Sequence, residues 1–345
     1  MSRETVKAAL DIKLTARIDA QVDRACGNAT RMVKSLLHRE FTPFVGVRYF
    51  DWPDRQGATS WRLWLDEHEA VSVTSLVAGG TTIASSDYFL EPVNEGPPYD
   101  SIEIDLSSSA SFDVGDTYQR DIAATGTFGY TVDTEPAGAL AEALDDTETG
   151  VDVTDSSLIG VGDLVLVGTE YMDVTGRVML DTGVNIDSGD SLTAANNDVS
   201  IAMSTTTGAP TVGETILIDS ERMLVTDVAG SVLTVKRACD GSVLAVHAAG
   251  ADIYAPRTLT VVRGACGSTA AAHSSSDAVA RHLFPPPVRD LALAYALNQV
   301  LQEAAGYARV VGSGESERQF TGRGIADAEK AAKRACGRQM RIGAV

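Results

Sequence analysis

The chain has 345 residues, 44% of them hydrophobic, and a formal net charge of −19. That length and apolar content allow two or three domains with real cores, while the acidity argues against a nucleic-acid or anionic-membrane footprint. No stretch approaches the ~20 apolar residues of a membrane span, and Met1-Ser2-Arg3-Glu4 has no signal-peptide apolar run, so a protein made and kept in a cytosol is expected.

From Ile18, apolar side chains at Val22, Cys26, Ala29, Val33, Leu36 and Leu37 recur every three or four residues, which predicts one amphipathic helix of about 25 residues ending before Pro43. Short β-branched and aromatic runs follow at Val45–Trp52, Ser60–Leu65, Val71–Val77, Tyr88–Glu91, Ser101–Leu106 and Gln119–Tyr130. Gly, Pro, Asn and Ser clusters separate them, the pattern of a compact antiparallel sheet. Gly126-Thr127-Phe128-Gly129-Tyr130 closes it. Near Pro285-Pro286-Pro287-Val288 a second helix starts, with Leu291, Tyr295, Leu297, Val300, Leu301 and Ala304 as its apolar face. A Gly/Ser-rich hinge, Gly312–Gly324, leads to an alanine-rich helix around Ile325–Met340.

Between these flanks lie two echoes. Val161–Thr175 recurs as Val212–Thr226 at a shift of 51, whereas Leu233–Arg237 with Gly241, Ser242 and His247 recurs as Leu259–Arg263 with Gly267, Ser268 and His273 at a shift of 26. Front halves come first and back halves last, so one module, about 205–255, is nested inside another. The segment 133–257 carries 21 acidic and only five basic residues, a net of −16, which leaves the rest of the chain at −3. From Arg318 the sign reverses, with Arg318, Arg323, Lys330, Lys333, Arg334, Arg338 and Arg341 against only Asp327 and Glu329.

Catalytic constellations are not visible. Glu67-His68-Glu69 places an imidazole between carboxylates, but consecutive residues point in different directions and no second histidine stands at ligand spacing. His247 and His273 repeat with their modules, as turn or packing elements would. Asp181, Asn185, Asp187 and Asp190 form an oxygen-rich loop without the glycine and glutamate of an EF-hand, so whether a cation binds the 181–190 loop stays open. The glycine pairs at 312–314 and 322–324 lack a phosphate-loop lysine, and no Gly-x-Ser-x-Gly elbow occurs. Cys26, Cys239, Cys266 and Cys336 show no CxxC spacing and read as small core residues. Trp52, Trp61 and Trp64 fit either core packing or a sugar-stacking face.

With the insertion set aside, the flanks resemble the head-to-tail connector (adaptor) proteins of long-tailed bacteriophages over about 200 residues. The resemblance rests on the long N-terminal helix, Val71-Ser72-Val73-Thr74-Ser75-Leu76-Val77 with Gly79-Gly80, Tyr88-Phe89-Leu90-Glu91-Pro92, the Gly-Thr-Phe-Gly-Tyr segment, and the Pro287-Val288-Arg289 helix start. Adaptors often pass almost directly from that segment to the helix, where this chain interposes about 150 residues.

The resemblance implies an α+β fold: a helical adaptor core with a small antiparallel sheet (residues 1–132), an inserted acidic all-β domain of two nested modules (133–284), and a C-terminal helix, hinge and tail (285–345). It implies a structural virion protein without enzymatic activity or cofactor, assembled in the host cytoplasm and placed at the head–tail junction. Its partners would be eleven further copies in a dodecameric ring, the portal protein beneath which that ring sits, and a next (stopper) ring or tail protein, with viral DNA passing through and no membrane contact. The portal-docking tail would use Arg318, Arg323, Ile325, Lys330, Lys333, Arg334, Arg338 and Met340. The alternative is a phage receptor- or glycan-binding surface protein working through its acidic β-modules.

Overall fold

The computed structural model describes residues 1–10, 16–53, 60–304, 310–311, 318–319 and 323–338. The chain opens with helices α1 (Arg3–Leu10) and α2 (Ala16–Leu37), then runs through strands β1 (Phe44–Phe50), β2 (Arg62–Trp64), β3 (Ala70–Ala78), β4 (Thr81–Ile83), β5 (Tyr88–Glu91), β6 (Ser101–Ile104) and β7 (Ile122–Phe128). The inserted block supplies β8 (Thr134–Ala139), β9 (Gly150–Asp152), β10 (Leu164–Val167), β11 (Glu170–Asn185), β12 (Ser200–Ala202), β13 (Thr215–Ile218), β14 (Glu221–Ala229), β15 (Val232–Lys236), β16 (Asp252–Ala265) and β17 (Ala278–His282). Helix α3 (Pro286–Ala304), the short pair β18 (Val310–Val311) and β19 (Arg318–Gln319), and helix α4 (Arg323–Cys336) complete it.

Nineteen strands against four helices among the described residues overturn the expected α+β fold with a helical adaptor core: the molecule is mostly β. The helical periodicities were legible, but they account for one of four cores. Val22, Ala25, Ala29, Val33 and Leu37 of α2 pack on Val288, Leu291, Ala292, Ala296 and Val300 of α3, with Val6 of α1 and Ala332 and Cys336 of α4. The flanking β runs make two sheets rather than one, ordered β1-β7-β3-β4 and β2-β6-β5. Phe50, Leu76, Ile122 and Phe128 of the first share a core with Leu63, Ile102 and Ile104 of the second. At Gly126 a Cβ would come within 2.1 Å of the Ser72 carbonyl, so the β3–β7 approach itself requires glycine.

The inserted block is one ten-stranded antiparallel sheet that closes on itself twice. In the outer unit β8 pairs β17, β17 pairs β10, β10 pairs the first half of β11, that half pairs the second half of β16, and β16 pairs β9. The Leu140–Val153 bridge then returns β9 to the end of β8. The inner unit repeats the circuit through the second half of β11, the first half of β16, β13, β14, β15 and β12, closed by the Ile186–Met203 bridge. Each is a six-stranded barrel filled by its own alternate side chains, Val151, Val165, Met172, Val261 and Val279 outside, Ile201, Ile216, Met223, Val235 and Ile253 inside. The inner barrel stands where the outer barrel's β11–β16 hairpin would turn, and Leu180 pairs with Ala255 where the chain crosses between them. At the base of the block Leu283 donates its N–H to Asp133 O at 2.8 Å, so chain entry and exit lie side by side.

Candidate functional site

Each echo marks a buried ionic cluster. In the inner barrel the Glu221 carboxylate accepts two N–H bonds from Arg237 at 2.7 Å, one each from the Ala238 and Ala245 amides at 2.9 Å, and contacts His247 Nε2 at 3.0 Å. In the outer barrel Glu170 holds Arg263 at 2.7 and 2.8 Å, the Gly264 and Ala271 amides, and His273 Nε2 at 2.8 Å. Both arginines spend their remaining donors on loop carbonyls, Arg237 on Thr193, Asp198 and Ala245, Arg263 on Asp145, Glu148 and Ala271. Burial would push both carboxyls up, but the arginine, histidine and amide donors outweigh it and hold each at about 2. With every donor directed at an internal acceptor, these clusters pin loops; the two histidines are fastened to carboxylates that are themselves saturated.

A third buried pair joins the barrels. Glu214 binds Arg257 bidentately at 2.9 Å and accepts from the Ser156 amide and hydroxyl of the outer barrel at 3.0 Å. Arg177 reaches Ser156 at 2.9 Å and lies 3.7 Å from Glu4 of α1. Helix α1 is a docking element that sequence reading missed. Its eight residues are too few to stand out as a sequence period, one side chain, Val6, is fully buried, and it is held by contacts with Val161.

Glu67-His68-Glu69 does not converge. Glu69 is buried against Arg39 at 3.2 Å, while burial and the nearby Arg48 lower the His68 pKa and its ring stands edge-on to Phe50. A cleft of about 380 Å³ lined by Phe50, Leu65, Asp66, Glu67, His68 and Arg338 opens beside it. The expected 181–190 loop is half strand: Asp181 and Asn185 lie in β11, paired with Tyr254 and Asp252. Asp181, Asp187 and Asp190 each accept an N–H from the residue one or two positions on, and among the described residues no group of three or more His, Cys, Asp or Glu is arranged to hold a metal ion. Arg62 lays its guanidinium 4.8 Å from the centre of the Trp61 ring and 5.1 Å from that of Trp64, and Trp52 packs edge-on to Tyr118. Arg62 thus occupies one side of Trp61 and Trp64, and all three tryptophans are half-buried. Cys26 and Cys336 are buried, whereas Cys239 and Cys266 are half-buried in equivalent loops. No protein-family model, curated protein or solved structure matches the chain.

The basic tail divides in two. Met340 lies outside the described residues, as does most of the 312–324 hinge; Arg318 falls in β19 and Arg323 opens α4. The structure packs α4 on the body instead of leaving it free: Ala332 and Cys336 are buried, Ile325 and Ala328 half-buried, and Tyr295 Oη donates to Glu329 at 2.7 Å. Burial and that carboxylate push the Tyr295 hydroxyl up to about 12. Arg338 is also engaged within the chain, through Leu37 O and Asp66. Lys330, Lys333 and Arg334 remain exposed on one face of α4, a basic surface on an acidic protein.

Proposed function

We propose that this chain is a structural virion protein, one subunit of the ring that joins a phage head to its tail, sits on the portal and extends the DNA channel. The reading rests on the sequence resemblance of the flanks. The observation that carries it further is α4: its apolar face is spent on α2 and α3, so Lys330, Lys333 and Arg334 form a fixed basic face suited to an acidic partner surface. The acidic barrels repel DNA, which suits a conduit that must not retain its cargo. The buried carboxylates Glu170, Glu214 and Glu221 and their arginines are engaged in holding loops, which favours the surfaces as the working parts.

Negative-stain class averages of the purified chain, alone and with portal rings, test this. Twelvefold rings stacked coaxially on the portal are expected. A threefold assembly, or a chain that stays monomeric at high concentration and ignores the portal, would overturn it.

A further inference from the structure

Among the described residues strand β1 is an edge, paired only with β7 through a register without shifts. Its Val45 N–H points away from β7 and donates to Cys266 O at 2.8 Å, in the outer-barrel loop. Successive N–H groups alternate along a strand, so Val47 and Tyr49 also turn their backbone outward. Their side chains are exposed, 41% and 62%. A long apolar edge of this kind is a pairing surface unless something covers it.

The cover on Val45 exists in duplicate. The outer loop places Gly264, Cys266 and Gly267 at φ of 59, 58 and 79°, and Gly267 sits so close to Val45 O that a Cβ would come within 2.2 Å. At the shift of 26 the inner loop places Ala238, Asp240 and Gly241 at 55, 49 and 72°. Ser242 and Ser268 brace the two loops identically, through the carbonyls of Cys239 and Ala265. The inner loop therefore offers the same carbonyl, Asp240 O, to which no backbone N–H is donated among the described residues. Its flank has also changed: Thr269 and Ala272 of the outer loop correspond to Val243 and Val246, exposed by 78% and 67%.

We propose that the 238–246 loop of one copy docks on the free half of β1, Val47–Tyr49, of a second copy of this chain. The contact copies the one the outer loop makes within the molecule, by a surface whose own partner strand is out of reach: in its own chain the inner loop faces Lys7 of α1, 3.6 Å from Asp240. Loop and strand are different surfaces, so the contact is head-to-tail, the kind that builds a ring when the rotation between copies closes. This rests on the ring assembly proposed above and supplies its interface.

The test uses two full-length variants, Tyr49→Asp and Val243→Asp, weighed by sedimentation velocity alone and mixed; Tyr49→Ser and Val243→Ser stand in should a charged variant fold poorly. Wild type should form rings and each variant alone should be monomeric. Their mixture should stop at heterodimers, because each pair retains one intact contact. Rings persisting in either variant, or a mixture that stays monomeric, would overturn this interface while leaving the ring reading in place. The same comparison is made with portal rings present, and a wild type that stays monomeric there too would overturn both.

Discussion

Glu221 and Arg237 meet as a fully buried, bidentate pair, and Glu170 and Arg263 repeat it with three loop carbonyls of their own barrel at their backs. Two charges out of water are tolerable only because each oxygen and each N–H finds a partner, so removing one member leaves an uncompensated charge. Arg237→Ala and Arg263→Ala should each cost ~3–5 kcal/mol of stability, read from the shift in urea midpoint. The surface pair Lys330–Asp327, both residues exposed, serves as control and should change stability by no more than ~0.5 kcal/mol. Equal, small effects at all three sites would refute the pinning role.

Acid should loosen the same clusters. Glu170 and Glu221 sit at about 2 in the folded chain against an ordinary value of 4.5, so the unfolded chain binds more protons between those limits. Their stabilisation is therefore complete above about pH 4.5 and is lost progressively as pH falls towards 2. Asp163, whose carboxyl burial pushes up, works in the opposite sense. The comparison that isolates the effect is wild type against Glu221→Gln: the variant's unfolding midpoint should fall less steeply over that window. Parallel curves would show that Glu221 does not carry the acid sensitivity.

What the sequence made legible follows from what geometry demands. Glu170, Arg263, Gly267, Ser268 and His273 each meet a fixed hydrogen-bond or backbone requirement, so the duplicated barrel keeps them and the echo is visible. The second half of β11 and the residue after it have only to fill a core with Val184 and Ile186, and any apolar residue does that. No echo marks it, and the barrel closure through Ile186 and Met203 is hidden with it. The helical core was overestimated because the 3.6-residue period is a strong local signal, whereas barrel closure joins residues far apart in sequence. At the tail, residue types gave the basic face, but the contact of α4 with α2 and α3 was not readable from composition.

The basic face should act without supporting the fold. Lys330→Gln, Lys333→Gln and Arg334→Gln together should move the thermal midpoint only slightly, since a single exposed position rarely changes stability by more than ~0.5 kcal/mol and no acidic charge is added to the last turn of α4. Co-sedimentation with portal rings should be lost. In the wild type the same binding should weaken with added salt, because exposed charge attraction is screened over about 8 Å at physiological ionic strength. Unchanged portal affinity in the triple variant would remove α4 from the docking surface.

The nested architecture makes a sharper demand. The inner barrel occupies the place of a hairpin turn, and the inner barrel's own equivalent hairpin shows what that turn should be: Ala229 pairs with Val232 across Gly230-Ser231. Val178 and Thr258 are the last outer-barrel partners before the crossing. Joining them through Gly-Ser, in place of residues 179–257, should give an outer barrel with its core of Val151, Val165, Met172, Val261 and Val279 untouched. Ser156 and Arg177 lose the Glu214–Arg257 pair but become accessible to water, which satisfies them. Circular dichroism should show a β-rich protein with one sharp melting transition, and the Glu170 cluster should still resist acid. A broad transition with dye-binding apolar surface would mean that the outer barrel depends on the inner one to close, and that the two form a single folding unit.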